Sequence, residues 1–129
     1  EKILSKKLKN KNITFLGVTF KPNTDDMREA SSLSMIPSLH KKGAKIKYCD
    51  PSGYKKDFSQ FKNVKFCKDI STACLKSDLI IIHTEWNEFK LLNFKKIVKK
   101  NNFIIYDMRN IYNPSKMKEN GIKYFGIGR

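Results

Sequence analysis

Leu79-Ile80-Ile81-Ile82-His83 is the most apolar run in the chain. It is short, and no polar residue alternates through it until its end, so it reads as a central strand buried on both faces of a sheet. Working upstream, residues 64–67 form a short strand, and Asp69 is placed to cap a helix running through Ala73 and Leu75 to Lys76. Before them, a loose section at 52–63 follows a strand at 45–49 that is closed by Asp50-Pro51. Residues 31–42 carry Leu33, Ile36, Leu39 and His40 at helical spacing, with Gly43 as the stop. Pro37 falls inside that helix, either in its first turns or at a kink. The first strand is 13–18 (ITFLGV). Downstream of the central run, 94–100 reads as helix, 103–107 as strand, 115–119 as a short helix and 122–125 as a last strand. Such alternation predicts an α/β fold: a doubly wound, mainly parallel sheet of about six strands with helices on both faces.

Composition removes several classes. With 129 residues, 40% hydrophobic and 30% charged, the chain can bury a core and is neither a disordered tail nor a membrane protein. The net charge is +15, from 27 basic and 12 acidic residues. Arg occurs only at 28, 109 and 129, and the lysines are scattered singly or in pairs, which suits solvated faces better than a nucleic-acid surface. Cys49, Cys67 and Cys74 have no CxxC spacing, so neither a disulfide framework nor a zinc site is expected. Reduced, buried cysteines point to a cytoplasmic protein. No signal segment opens the chain, and the absence of an initiator Met suggests a piece of something longer.

In a doubly wound sheet, ligands bind beyond the carboxyl ends of the strands, where strand order reverses. The loops there are 19–29 (TFKPNTDDMRE), 84–87 (TEWN) and 108–110 (MRN). Lys21, Glu85, Trp86 and Arg109 are expected to converge on one crevice, in which an ammonium and a guanidinium suit a diphosphate. Trp86 could stack on a base or pack into the core. Asp25, Asp26 and Glu29 surround Arg28, and without a supplementing His or Cys they read as pairs that shape the loop. His83 reads as a satisfied core histidine. Gly17 stands alone at the first strand–loop junction, so the GxGxxG dinucleotide fingerprint is missing, and Asp50, where a ribose-binding acid would lie, means little without it.

Four segments carry a resemblance: FLGVTFKPNTDDMREASSL at 15–33, HTEWNEF at 83–89, YDMRNIY at 106–112 and YFGIGR at 124–129. Together they resemble the C-terminal, UDP-binding domain of the UDP-glucose/GDP-mannose dehydrogenase family. TEWNEF with DMRN tilts the likeness toward members acting on UDP-glucose, away from those acting on UDP-N-acetylmannosamine or GDP-mannose. The resemblance implies a Rossmann-like domain at 13–129 that closes over the nucleotide-sugar, with 1–12 as the end of a helix linking it to a central domain. It implies an NAD-dependent oxidoreductase that takes the C6 alcohol of UDP-glucose to the carboxylate in two hydride transfers, serving nucleotide-sugar metabolism and polysaccharide biosynthesis. NAD would be bound mainly by an N-terminal domain, and the catalytic Cys would lie outside these residues, leaving this segment inactive alone. By motif match, Phe20 and Lys21 would contact the substrate, Arg109 would hold the UDP portion, and Arg28 would reach the NAD. The implied partners are the UDP-sugar, the protein's own N-terminal and central domains and a second subunit in a homodimer. A stand-alone Rossmann-type nucleotide-binding or regulatory module remains the alternative.

Overall fold

The computed structural model describes residues 8–128. The linking helix expected at 1–12 falls mostly outside them. Of its described part, residues 9 and 10 form a turn and Asn12 already belongs to a strand. The strands are β1 (Asn12–Leu16), β2 (Lys45–Cys49), β3 (Val64–Phe66), β4 (Leu79–Ile82), β5 (Ile104–Asp107) and β6 (Lys123–Gly126). The helices are α1 (Ser32–Lys41), α2 (Ile70–Cys74), α3 (Phe94–Val98) and α4 (Pro114–Glu119). The strands form one sheet in the order β3-β2-β1-β4-β5-β6. Every neighbouring pair is parallel.

The apolar run at 79–82 occupies the expected place. β4 lies between β1 and β5, with Ile13 opposite Leu79 and Ile82 opposite Asp107. Its residues divide by alternation between two cores. Ile80 and Ile82 join Leu16, Phe89, Phe94 and Ile105 on the face covered by α2, α3 and α4. Leu79 and Ile81 join Ile13, Phe15, Ile46 and Tyr48 on the face covered by α1. Both faces of this strand are sealed, as a parallel sheet requires.

Local chemistry explains most element ends. Asn113 caps α4 by accepting from Ser115 N at 2.9 Å and Lys116 N at 3.3 Å, with Pro114 in the first turn. Asn93 caps α3 by accepting from Lys96 N, and that helix stops at Val98 because Lys99 turns left-handed (φ 55°). Asp69 stands at the N-cap of α2 but makes no capping bond through its side chain; its carbonyl accepts from Ala73 N instead. α2 ends at Cys74, short of Lys76, whose φ of 59° is incompatible with continuation. Pro37 lies beyond the first turn of α1, and the helix continues through it to Lys41, leaving Leu33's carbonyl without its i+4 donor.

Gly17 is where the sheet hands over to the first site loop. Its φ is +83°, and an added Cβ would stand 2.5 Å from Thr84 Cβ and 3.0 Å from Thr84 N. A side chain there meets both backbone strain and overlap. Gly17→Ala is expected to destabilise the fold by about 2 kcal/mol or more, measured as a lowered midpoint in urea unfolding; an unchanged midpoint would show that the β1 and β4 loops separate freely.

Candidate functional site

Three loops leave the carboxyl ends of β1, β4 and β5 side by side, and buried side chains hold each in place. Asp50, 3% exposed after β2, accepts from Val18 N at 2.8 Å and Thr19 N at 3.3 Å. Its other oxygen accepts from Ser52 N and Ser52 Oγ at 2.9 and 2.6 Å. Asp107, at the end of β5 and fully buried, accepts from Arg109 N at 3.0 Å, Ile111 N at 2.8 Å and Tyr112 N at 3.1 Å. The Tyr124 hydroxyl donates to the same carboxylate at 2.7 Å. The signal for such a clamp in the sequence is an aspartate directly at a strand end, as at Asp50-Pro51 and Asp107-Met108.

His83 is the third anchor. Ser32 N donates to Nε2 at 3.0 Å, so the ring proton sits on Nδ1 and is given to Thr84 Oγ1 at 2.9 Å. Ser31 Oγ also contacts Nε2 at 2.9 Å, and Thr84 Oγ1 donates onward to Thr19 O at 2.8 Å. The imidazole thus joins the start of α1 to the β1 loop through β4. Burial, reinforced by the nearby Arg109 cation, pushes its pKa down to about 4. It is a satisfied core histidine, as its place at the end of an apolar strand suggested.

Arg109 brings the loops together. Its Nε donates to His83 O at 2.9 Å, and its Nη2 donates to Phe20 O at 3.1 Å. Glu85 Oε1 lies 3.6 Å from the same Nε. Glu85 Oε1 is buried yet makes no hydrogen bond among the described residues. Arg109 keeps about a third of its side chain in solvent. Phe20 is 44% exposed, an aromatic ring held at the surface by its own backbone: Phe20 N donates to Asp26 O at 3.1 Å while its carbonyl accepts from Arg109. Lys21 is exposed in the next position, and its carbonyl accepts from Thr19 Oγ1 at 3.0 Å. Of the expected group, Glu85 and Arg109 meet at one end of the sheet, and Arg109 bonds the carbonyl of Phe20, the residue before Lys21.

One expectation changes in detail, and a second holds. Trp86 does not face the crevice. It is 7% exposed and packs with Leu16, Phe89 and Tyr112, because the chain turns inward at 86–89 to cover the end of β4. Arg28 does what its neighbours suggested: Nε and Nη2 each donate to the Asp26 carboxylate at 3.0 Å, and Arg28 N adds a bond of 2.9 Å. That guanidinium, with Lys21 adding a smaller attraction, lowers the Asp26 carboxyl to about 2. Arg28's side chain is 89% exposed, so the pair shapes the loop at the surface. Among the described residues no group of three His, Cys, Asp or Glu side chains could hold a metal ion, and no helix is long and apolar enough to cross a membrane. Cys49 and Cys74 are buried and Cys67 is half-buried, and burial pushes all three thiols up, Cys49 to about 11 and Cys74 to about 12.

The site is poorly suited to a dinucleotide of its own. In a fingerprint loop the first N–H groups after β1 face a pyrophosphate. Here Val18 and Thr19 point theirs at the Asp50 carboxylate, an internal anion in the ligand's place.

Residues 14–114 match the model of the UDP-glucose/GDP-mannose dehydrogenase family, UDP binding domain. The chain belongs to that family. The UDP-glucose 6-dehydrogenase of Rhizobium meliloti is 33% identical over 95% of the chain and 28% of its own length. That of Rickettsia felis is 37% identical over 98% of the chain and 29% of its own. The family domain therefore spans less than a third of the relatives it matches. Among solved structures, an NDP-N-acetyl-D-galactosaminuronic acid dehydrogenase from Methanosarcina mazei superposes with a TM-score of 0.83 at 26% identity, over 99% of this chain and 26% of that one. A UDP-glucose dehydrogenase from Pyrobaculum islandicum gives 0.78 at 25% identity, covering 98% of this chain and 27% of that one.

Because the folded domain holds His83 neutral, the unfolded chain takes up that proton first as pH falls. The stabilisation is complete above about pH 6.5 and disappears progressively toward pH 4. Over that window the imidazole's share is on the order of 3 kcal/mol. Urea unfolding between pH 7 and 4.5 should show the decline in the wild type and a flatter profile in His83→Gln; equal slopes would mean that His83 titrates normally in the folded state.

Proposed function

We propose that this domain grips the UDP portion of a nucleotide-sugar for an NAD-dependent UDP-glucose 6-dehydrogenase, which converts UDP-glucose to UDP-glucuronate by two hydride transfers. The observation that carries the reading is the Arg109 junction, which draws the loops of β1, β4 and β5 to one end of the sheet beside Phe20 and Lys21. There the guanidinium supplies paired planar donors and the Lys21 ammonium a mobile point charge, a combination suited to a diphosphate. Phe20 offers an exposed ring edge or face to the sugar or base. Partial burial of Arg109, already braced by two carbonyls, lets it meet the ligand without losing much side-chain freedom on binding.

The residues of this chain bind and orient; none of its cysteines, with their raised pKa values, suits a nucleophile. NAD accepts the hydrides and is held mainly by the part of the protein outside this chain, consistent with Asp50 filling the anion position of the first loop. Arg28, exposed on the long loop and paired with Asp26, would be the residue that reaches that cofactor. The working unit is then the whole protein, a cytoplasmic homodimer in which this domain closes on substrate held by the N-terminal and central domains. Isolated, the segment should bind UDP-sugar weakly and turn nothing over. A related sugar is the second reading, supported by structural neighbours that include a UDP-N-acetylmannosamine dehydrogenase from Pyrococcus horikoshii at a TM-score of 0.76 and 26% identity.

In the whole protein, Lys21→Ala and Arg109→Ala should each weaken UDP binding in a calorimetric titration, Arg109→Ala by about 2–5 kcal/mol as expected for a desolvated charge-assisted contact. Wild-type affinity in both variants would remove these cations from the site. Steady-state turnover with UDP-glucose against UDP-N-acetylmannosamine decides between the sugars.

A further inference from the structure

The lysines are scattered along the sequence, but the fold gathers many of them at one end. In a parallel sheet each crossover returns the chain to the amino ends of the strands, so the turns that enter the strands all lie there. Lys11 precedes β1, Lys45 opens β2, Lys76 precedes β4, Lys99 and Lys100 precede β5, and Lys123 opens β6. Among the described residues, the acids in or beside these turns are Asp78 and Glu119. Asp25, Asp26, Glu29, Asp50, Glu85 and Asp107 all lie at the opposite end, at or beyond the last residues of the strands. The amino end is therefore strongly positive. Helix C-termini favour cations, which accounts for Lys76 and Lys99, and Lys76 Nζ donates to Lys99 O at 2.7 Å. Lys11 and Lys123 stand at strand starts, where that explanation does not apply.

A cavity of about 360 Å³ opens among these turns, lined by Lys11, Lys100, Lys123, Asn101 and Asn102, with Asp78 in its wall. Its volume falls within the range of small-ligand sites. Asp78, whose side chain is 14% exposed, is already engaged: Oδ2 accepts from Asn12 N at 2.8 Å, and Oδ1 bonds the Lys100 ammonium. One carboxylate thus fixes one cation at the cavity and leaves the rest unbalanced. Lys11 and Lys123 make no ion pair among the described residues. Burial, and after it the Lys11 and Lys76 cations, push the Lys100 pKa down, so these ammonium groups stand near enough to repel one another. Gly121, also in the wall, has the Lys95 ammonium 3.5 Å from where a Cβ would stand. We propose that this cavity binds an oligophosphate chain, free or carried by a nucleotide, gripped by Lys11, Lys100 and Lys123 with the Asn101 and Asn102 amides as neutral donors. Ammonium groups on flexible stems follow a run of phosphate oxygens without a fixed geometry, and the anion relieves their mutual repulsion. Neither an Arg nor an exposed aromatic ring lines the cavity, which disfavours a nucleic-acid strand. The cavity is separate from the Arg109 junction, since strands of this length hold their two ends roughly 15 Å apart. The proposal does not rest on the function given to that junction.

The test is a calorimetric titration of the whole protein with inorganic tripolyphosphate, with and without saturating UDP, at about 0.1 M salt, where charges beyond ~10 Å are screened. One tripolyphosphate should bind per chain under both conditions. Lys11→Gln combined with Lys123→Gln should weaken it by about tenfold or more, whereas Lys68→Gln combined with Lys90→Gln, the same charge removed at the carboxyl end, should change it less than about twofold. Lys123→Glu, a single change at an exposed position, repeats the test should the first pair fail to fold. Equal weakening by the two pairs would reduce the attraction to diffuse net charge and overturn the proposal. So would the absence of binding, or its loss on adding UDP, which would put tripolyphosphate at the Arg109 junction. Capture by phosphatidylglycerol vesicles without tripolyphosphate binding would overturn it too and give this end to a membrane. ATP titrated in the presence of UDP separates the sources: tighter binding than tripolyphosphate names a nucleotide, and equal or weaker binding names the phosphate chain itself. If UDP does not bind at all, the proposed function fails, while the comparison of the two lysine pairs still decides this site.

Discussion

Buried side-chain acceptors at the carboxyl ends of β2, β4 and β5 are the constraint on which the rest of the site depends. A parallel sheet leaves its loop N–H groups pointing away from the strands with no ladder partner, and burying them unpaired costs on the order of 1–3 kcal/mol each. Asp50, His83 and Asp107 collect those donors. The carboxylates bind several at once, and the imidazole joins α1 to β4 and, through Thr84, to β1. Charged acceptors also make the stronger bonds, so loops without regular structure are held nearly as firmly as the strands they leave.

This arrangement separates the domain from a dinucleotide-binding relative of the same topology. There a glycine-rich turn presents bare N–H groups to a ligand; here the protein's own carboxylate meets them. Under the proposed function, ligand affinity comes from side chains instead, those of Arg109 and Lys21. Arg109 braces His83 O and Phe20 O while about a third of its side chain stays in solvent. A cation already fixed by the fold loses less entropy on meeting a diphosphate than a free surface lysine does.

Much of this was legible from residues alone. The unbroken apolar run at 79–82 required cover on both faces, and the alternation of strand and helix around it dictated a parallel sheet with its loops at one end. Lys21 and Arg109 stand out as candidates because each follows a buried strand. The sequence by itself thus determined the layers and the candidate loops, since hydrophobic period is a local property of the chain, while the strand order came from the structure. Only the tertiary structure decided that Trp86 turns into the core and that Asp50 and Asp107 hold loops. Those outcomes depend on which donors and apolar surfaces distant segments bring within a few ångströms, a balance that no single stretch encodes.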